Sequence, residues 1–412
     1  MSLISVRHMG LKRELPLELL YNVIDICAQN ASFNELKSLS LVSRSLNRQA
    51  RKHIWGHIEL PTRRAIRLDR EGKDFSSLVD VLSTLQDIPR SLHLVSYPPE
   101  VLSPFLRKLK FHALQRISIH GYDPRVSSAP SPTTLAKLLR TNPALHLMKL
   151  SNVRMRPISF LDLISQSELQ GLRHCILDII NTTVDDSWDD YLREPESDAI
   201  DDFLEKRSEG QDVARPSLVS LYLNRVTNLP NPAFCKALFG DVHSLFDISS
   251  LQQLTLCISS YPPVPLKYFT EVIELCCLSV SSLTIHNWQD VTRPDSHSVT
   301  KFVNATNVAF DIYGGTGLEI VESSLELALE HLVGLKYLKK VKFIVESYNP
   351  LEFLPKHKDG LDELCSAVPG IEEIVISIRS VNAECYNVEQ VFTWDKDRCI
   401  LMLDELDKCG RE

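Results

Sequence analysis

No apolar run in this 412-residue chain reaches the roughly 18 to 20 residues that cross a bilayer, and the longest candidate, near Leu275 to Ile285, is broken by serines. The N-terminus has no uninterrupted apolar core of the export-signal kind, because Arg7, His8, Lys12, Arg13 and Glu14 divide it. A cytoplasmic and/or nuclear, non-secreted protein without a membrane partner is expected. Its ten cysteines are then expected to stay reduced. None forms a C-x-x-C pair, and the adjacent Cys276 and Cys277 cannot readily share one tetrahedral ion. Cys27, Cys175, Cys276, Cys365 and Cys399 fall at apolar-periodic positions, where a thiol behaves as a small hydrophobe. The sequons at Asn30, Asn181 and Asn304 are expected to stay unglycosylated for the same reason of compartment.

Catalytic signatures are scarce. His53-Ile54-Trp55-Gly56-His57 has the histidine spacing of a zinc-protease helix but puts Ile where the general base belongs. Gly314-Gly315-Thr316-Gly317 lacks the Lys of a phosphate loop and reads as a turn before a helix around Val321 to Leu332. There is no G-x-S-x-G elbow, and whether His286 approaches Cys257 is open at this level. No metal, no cofactor and no catalytic residue are expected. An excess of positive charge is also missing: the formal charge is -8, which argues against a general nucleic-acid binder.

What is present is a repeat. The pattern apolar-x-x-apolar-x-apolar-x-x-apolar occurs at Leu114, Ile117, Ile119, Tyr122, at Leu145, Met148, Leu150, Val153, and at Leu172, Cys175, Leu177, Ile180. It returns at Leu218, Leu221, Leu223, Val226, at Leu251, Leu254, Leu256, Ser259, and at Val280, Leu283, Ile285, Trp288. Leu338, Val341, Phe343 and Ile371, Ile374, Ile376 extend it, while Leu92 with Leu94 and Val308 with Phe310 are poorer copies. Most copies start about 25 to 33 residues apart, at or above the leucine-rich range. Between them lie helix-spaced segments such as Phe269, Val272, Ile273, Cys276 and Leu361, Leu364, Cys365, Val368.

An α/β fold follows, in which strand-helix units stack into a curved solenoid over 61–396 and each unit covers the open apolar face of the last. A doubly wound parallel sheet alternates in the same way and is the competing architecture. The tail 397–412, with Ile400, Leu403 and Leu406 on one side, is expected to be a capping helix. A longer gap, between the copies at Leu172 and Leu218, holds an acidic insertion at 185–212 with Trp188, Tyr191 and Phe203 interleaved. Self-repulsion favours a solvated loop there, with a short helix near Ile200 to Lys206; an acidic clamp for a basic substrate is the sharper alternative.

The residues between the apolar strand positions should line up on one exposed face. Lys149, Tyr222, Asn224, Thr255, Thr284 and His286 are the candidate substrate-binding residues on it.

The first sixty residues have a different pattern. Pro16 suits the first turn of a helix that carries Leu19, Leu20, Val23, Ile24 and Cys27 on one face. Ser32-Phe33-Asn34-Glu35 has the form of a capping box before Leu36, Leu39 and Val42. Ser43 can cap a third helix with Leu46, Ala50 and Ile54 four residues apart. Three helices this short need a neighbour or a partner to be stable.

The ordered blocks Leu15-Pro16-Leu17-Glu18-Leu19-Leu20, Leu39-Ser40-Leu41-Val42-Ser43-Arg44 and Ala50-Arg51-Lys52-His53-Ile54-Trp55 resemble the F-box. With the repeats, the chain is similar to F-box proteins of the leucine-rich-repeat type, notably the divergent fungal sets. Ser43 stands where that family commonly has Cys, and Leu46 where an aromatic is frequent. The resemblance implies a three-helix F-box domain over 1–60 that docks on a Skp-family adaptor of a cullin-RING, SCF-type ubiquitin ligase. By the same resemblance Leu15, Pro16, Leu19, Leu20, Ile24, Leu39, Val42 and Trp55 match its apolar positions and would supply the adaptor contact. The repeats would then bind a protein substrate, making the chain a non-catalytic substrate receptor. The alternatives are an F-box scaffold or sequestering protein and, more remotely, an enzyme with an unrecognised site.

Overall fold

The computed structural model of the chain describes residues 21–22, 24–25, 33–41, 44–60, 87–95, 111–124, 131–181, 197–209, 215–226, 229, 231–240, 243–260, 263–264, 266–288, 299–312, 318–347, 358–380, 389–395 and 400–404. Residues 21–22 and 24–25 are helical and are followed by α1 (Phe33–Ser40) and α2 (Arg44–Ile54). The strands are β1 (His57–Leu60), β2 (Ser91–Val95), β3 (Arg116–His120), β4 (Leu147–Arg154), β5 (His174–Asn181), β6 (Ser220–Val226), β7 (Gln253–Cys257), a short hairpin of β8 (Ser259–Ser260) with β9 (Pro263–Val264), β10 (Ser282–Trp288), β11 (Asn307–Ile312), β12 (Lys340–Ser347), β13 (Glu373–Ser380), β14 (Glu389–Asp395) and β15 (Ile400–Asp404). The helices between them are α3 (Pro132–Arg140), α4 (Pro157–Gln166), α5 (Ser197–Glu209), α6 (Pro232–Cys235), α7 (Thr270–Cys276), α8 (Leu318–Leu332) and α9 (Lys358–Ala367). Helices α3, α4 and α6 each open on a proline, and Ser131 and Asn231 cap α3 and α6 by accepting backbone N–H bonds from the first turn.

Apart from the β8–β9 hairpin, the strands form one open sheet of 13 strands in chain order. The pairs from β1 to β13 are parallel, and β14 and β15 close the far edge as an antiparallel meander. This order decides against the doubly wound alternative, which requires a switch point where strand order reverses. Because parallel crossovers are right-handed, a sheet that always advances in one direction keeps its connections on one face and leaves the other open. The architecture is α/β with an open, largely parallel sheet, which is compatible with a solenoid.

Burial follows that asymmetry. The register aligns Leu92, Ile117, Met148, Cys175, Leu221, Leu254, Leu283, Val308, Val341 and Ile374 in one inward row. Leu94, Ile119, Leu150, Leu177, Leu223, Leu256, Ile285, Phe310, Phe343 and Ile376 form the second, and no residue of either row is more than 2% exposed. At about 1.5–3 kcal/mol for each large apolar side chain buried, these two rows are the main cohesive term. Trp288 adds a fixed point: its Nε1 donates to the Ser324 carbonyl of α8 at 2.9 Å while its ring meets Phe310 edge-on at 5.0 Å.

The fourth apolar place of the repeat has a backbone cause. Gly121, just after β3, and Asn152, Ile179, Arg225 and Asn287, in β4, β5, β6 and β10, have φ between 48 and 70° at equivalent places in their repeats. One left-handed residue there kinks the chain, so the next side chain (Tyr122, Val153, Ile180, Val226 or Trp288) turns back into the core. From β11 onward strict alternation returns, with Ile312 and Val345 buried two places after Phe310 and Phe343.

Several expectations change. Residues 57–60, assigned to the helical domain, are the first strand, because Ile58 and Leu60 pair with Leu92 and Leu94. The expected C-terminal capping helix contains β15 instead: Ile400 to Leu403 are consecutively apolar, and the free edge of β13 offers hydrogen bonds that a hairpin can take up. Residues 197–209 of the acidic insertion are not a solvated loop. The short helix expected near Ile200 to Lys206 is present but longer, as α5, and it is packed, with Ile200 and Phe203 buried, so the long gap contains the repeat's own helix. Arg207 locks it by donating to His243 O at 2.8 Å and to Ser165 Oγ at 2.9 Å. Cys27 and Cys399 lie outside the described residues.

Two stability outcomes follow. Ile179 is 38% exposed and β-branched where its counterparts in β4 and β10 are Asn, so Ile179→Asn should relieve left-handed strain. It is expected to raise unfolding stability by about 1 kcal/mol in urea denaturation, and no gain would show that the strain is relieved elsewhere. Arg207→Ala should instead cost about 2 kcal/mol by stranding the Ser165 and His243 acceptors; an unchanged midpoint would mean that α5 does not anchor the array.

Candidate functional site

The open face carries three polar rows set by the strand register. The first runs His57, Ser91, Arg116, Leu147, His174, Ser220, Gln253, Ser282, Asn307, Lys340, Glu373. The second runs Glu59, His93, Ser118, Lys149, Ile176, Tyr222, Thr255, Thr284, Ala309, Lys342, Val375. The third runs Val95, His120, Ser151, Asp178, Asn224, Cys257, His286, Asp311, Ile344, Ser377.

All six candidate recognition residues lie in these rows: Lys149, Tyr222, Thr255 and Thr284 in the second, Asn224 and His286 in the third. Neighbours that the sequence reading left out complete the centre. Asp178 accepts from Ser151 Oγ at 2.9 Å and from Asn224 Nδ2 at 2.8 Å. His286 Nδ1 lies 3.0 Å from Asp311 Oδ2, so the carboxylate orients the ring. The Tyr222 and His286 rings approach to 6.3 Å between centroids across β7, the strand that carries Cys257. Burial, with Cys257 and Asp178 close by, pushes the Tyr222 phenol up to about 12. The signal available in the sequence was the offset: each missed residue sits three places after the second apolar position of its repeat.

Cys257, His286 and Asp311 stand on consecutive strands of the sheet, an order that invites a nucleophilic reading. The electrostatics oppose it. Burial first, aided by the Asp178 and Asp311 carboxylates and opposed by Arg225 and by the Asn287 Nδ2 that donates to the sulfur at 3.4 Å, pushes the thiol up to about 11. A reactive cysteine needs the opposite shift. Among the described residues no group of three or more His, Cys, Asp or Glu side chains is placed to hold a metal ion. Beside this centre, β10–β13 form a shallow depression of about 240 Å³ floored at Ala309 and flanked by Thr284 and Lys342.

Of the candidate adaptor residues, Leu15, Pro16, Leu19, Leu20 and Val42 lie outside the described residues. Ile24 is buried, and Leu39 belongs to α1. Trp55 is half-buried against the repeat core, so it joins the helices to the sheet rather than standing free. Asp25 ties the first helical turn to α2 through His53 Nε2 at 2.7 Å and through Gln49, and the His53 bond holds its carboxyl below the usual range. Leu41, 78% exposed at the end of α1, is an apolar surface residue that the candidate set omitted.

Alkylation tests the central geometry. Cys257 is 7% exposed beneath the Tyr222–His286 pair, so at neutral pH iodoacetamide should label it slowly, and Tyr222→Ala should speed labelling measured by peptide mass spectrometry. Fast labelling of the unaltered protein would contradict the raised thiol. Among the described residues no helix is long and apolar enough to cross a membrane. No protein-family model matches the chain, and no curated protein matches it.

Proposed function

We propose that the chain is the substrate-recognition subunit of a cullin-RING ubiquitin ligase, with its N-terminal helices docking on a Skp-family adaptor and the open sheet face capturing the protein to be modified. The observation that carries this reading is the direct junction of a small helical segment to a long sheet with one uncovered polar face. Gly56 makes the junction: its carbonyl accepts from Arg90 and Ser91, and a side chain there would collide with the Lys52 carbonyl. A receptor needs this coupling, since its contribution is to hold a bound protein in a set orientation to chemistry performed by partner subunits. The raised Cys257 thiol favours binding over catalysis. A scaffold that binds the adaptor without delivering a substrate uses the same two surfaces.

Co-purification separates these readings. The tagged protein should recover a Skp-family adaptor and a cullin, and Leu19→Asp or Leu20→Asp should abolish both while the sheet stays folded by circular dichroism. Tyr222→Ala combined with His286→Ala should keep the adaptor and lose other captured proteins. Adaptor without cullin supports the scaffold, and recovery of neither removes the proposal.

A further inference from the structure

On the helix layer, away from the open sheet face, α8 and α9 enclose a groove of about 220 Å³. Helix α8 contributes Glu326, Leu329 and Glu330, with Val333 just beyond its end, and α9 contributes Gly360, Glu363 and Leu364. Leu329 and Leu364 are buried and form the floor, while the three glutamates are exposed at the rim. Val333 is 42% exposed, a large apolar side chain left in water at one end. Gly360 lets the two helices approach closely: a Cβ there would lie 2.9 Å from Leu329 Cδ1. A helical glycine is otherwise unfavourable, so this packing accounts for it.

The rim charge is unbalanced. Helix α8 carries Glu319, Glu322, Glu326 and Glu330 and no Lys or Arg, and its His331 is buried with its ring against Trp288. Helix α9 adds Asp359, Asp362 and Glu363 against Lys358. A large part of the chain's formal charge of -8 therefore sits on these two helices. Glu322, Glu326 and Glu330 are four residues apart, so like charges stack along one face, and Glu330 lies in the last turn, where the helix dipole is itself negative. Lys336 and Lys339 follow in the turn to β12, where Lys339 pairs with Glu372 at 3.0 Å, and neither lines the groove. Among the described residues Glu326, Glu330 and Glu363 have no ion-pair partner, unlike Glu274, which Lys301 meets at 2.9 Å on the preceding repeat.

We propose that the α8–α9 groove is the docking site for a basic amphipathic segment of a partner protein. An apolar side chain of that segment would cover Val333 and Leu364, and its Lys or Arg groups would meet Glu326, Glu330 and Glu363. The charge selects this occupant over nucleic acid and over an anionic lipid surface, both of which the glutamates repel. The apolar floor selects it over a simple polycation, since Lys and Arg stems and a neighbouring apolar residue can dry Val333 while the charged ends stay at the rim. The carboxylates are not grouped as metal ligands among the described residues.

The test is a fluorescence-anisotropy titration of the full-length protein with a labelled synthetic peptide in which Leu and Arg recur at helical spacing. The same peptide with Glu in place of Arg, and unlabelled spermine as competitor, are the comparison probes. The Leu-Arg peptide should bind with an affinity that falls as salt rises. Glu326→Lys with Glu330→Lys should weaken it about tenfold or more, whereas Asp201→Lys with Asp202→Lys, on the equally exposed acidic face of α5, should change it by less than about twofold. Val333→Ser should weaken it about threefold or more, because the apolar contact is lost. If the charge-reversed pair fails to fold by circular dichroism, Glu326→Gln with Glu330→Gln should show a smaller loss in the same direction. Absence of peptide binding, equal loss in the α5 variant, or displacement of the peptide by spermine at equal concentration would overturn the proposal. A dimer of the protein that dissociates on Glu326→Lys with Glu330→Lys would assign the groove to a second copy and overturn it as well. Adaptor co-purification does not involve this groove, so an adaptor complex recovered from a protein that fails to bind the peptide refutes this inference alone.

Discussion

A line of backbone carbonyls holds the array in register. Gly56, Arg90, Gln115, His146, Arg173, Val219, Gln252, Ser281, Thr306 and Lys339 each accept two successive N–H groups from the start of the next strand, at 2.7 to 3.2 Å. Each bond contributes only about 1 kcal/mol net, less than the burial of one leucine, so apolar burial supplies the cohesion. The carbonyls do something that burial cannot. A slip of one residue would turn every inward side chain outward, and a paired acceptor at each strand entrance specifies a single alignment. Because the acceptor is backbone, the residue type at that point is free to be Gly, Arg, Val or Thr, and the array tolerates units of unequal length.

The same constraint couples the two ends of the molecule's proposed task. Gly56 is the first acceptor of the line and the residue that ends the helical segment, so the helices are attached to the sheet by the interaction that attaches each strand to the next. Advance in one direction then puts the connections on one face. The other face presents three straight rows of side chains at strand spacing, on which charge and hydrogen-bonding groups from distant parts of the sequence become neighbours. Asp178 and Asn224, or Tyr222 and His286, meet only through this geometry.

The left-handed column sets where the rows end. Just after β3, in β4 to β6 and in β10 one residue with positive φ returns the chain to the core immediately after the third row. Gly and Asn accept that conformation readily, but Ile179 and Arg225 do not, so at those two units the fold imposes a backbone that the local sequence disfavours. In β11 to β13 the sheet continues by plain alternation, which is why the copies there lacked a fourth apolar residue.

The inward strand residues, the helices at 270–276 and 358–367 and the outward placement of Lys149, Tyr222, Asn224, Thr255, Thr284 and His286 were legible in sequence, because period two and period 3.6 are imposed by the backbone itself. Less was legible where a segment's state depends on what lies beside it. The β1 strand is four residues of modest apolar content that become a strand by pairing with β2, and α5, expected only as a short helix in a solvated loop, owes its length and packing to the burial of Ile200 and Phe203 and to Arg207 reaching across to Ser165 and His243. Ile400 and Leu403 suit a helix face as well as a strand, and the open edge at β13 made the choice. The oriented His286–Asp311 pair and the raised Cys257 thiol likewise arise from contacts across strands. By itself the sequence determined an alternating α/β repeat with an inward apolar code; tertiary structure decided strand order, which face stays open and which charges share it, because those depend on long-range pairing that local periodicity does not encode.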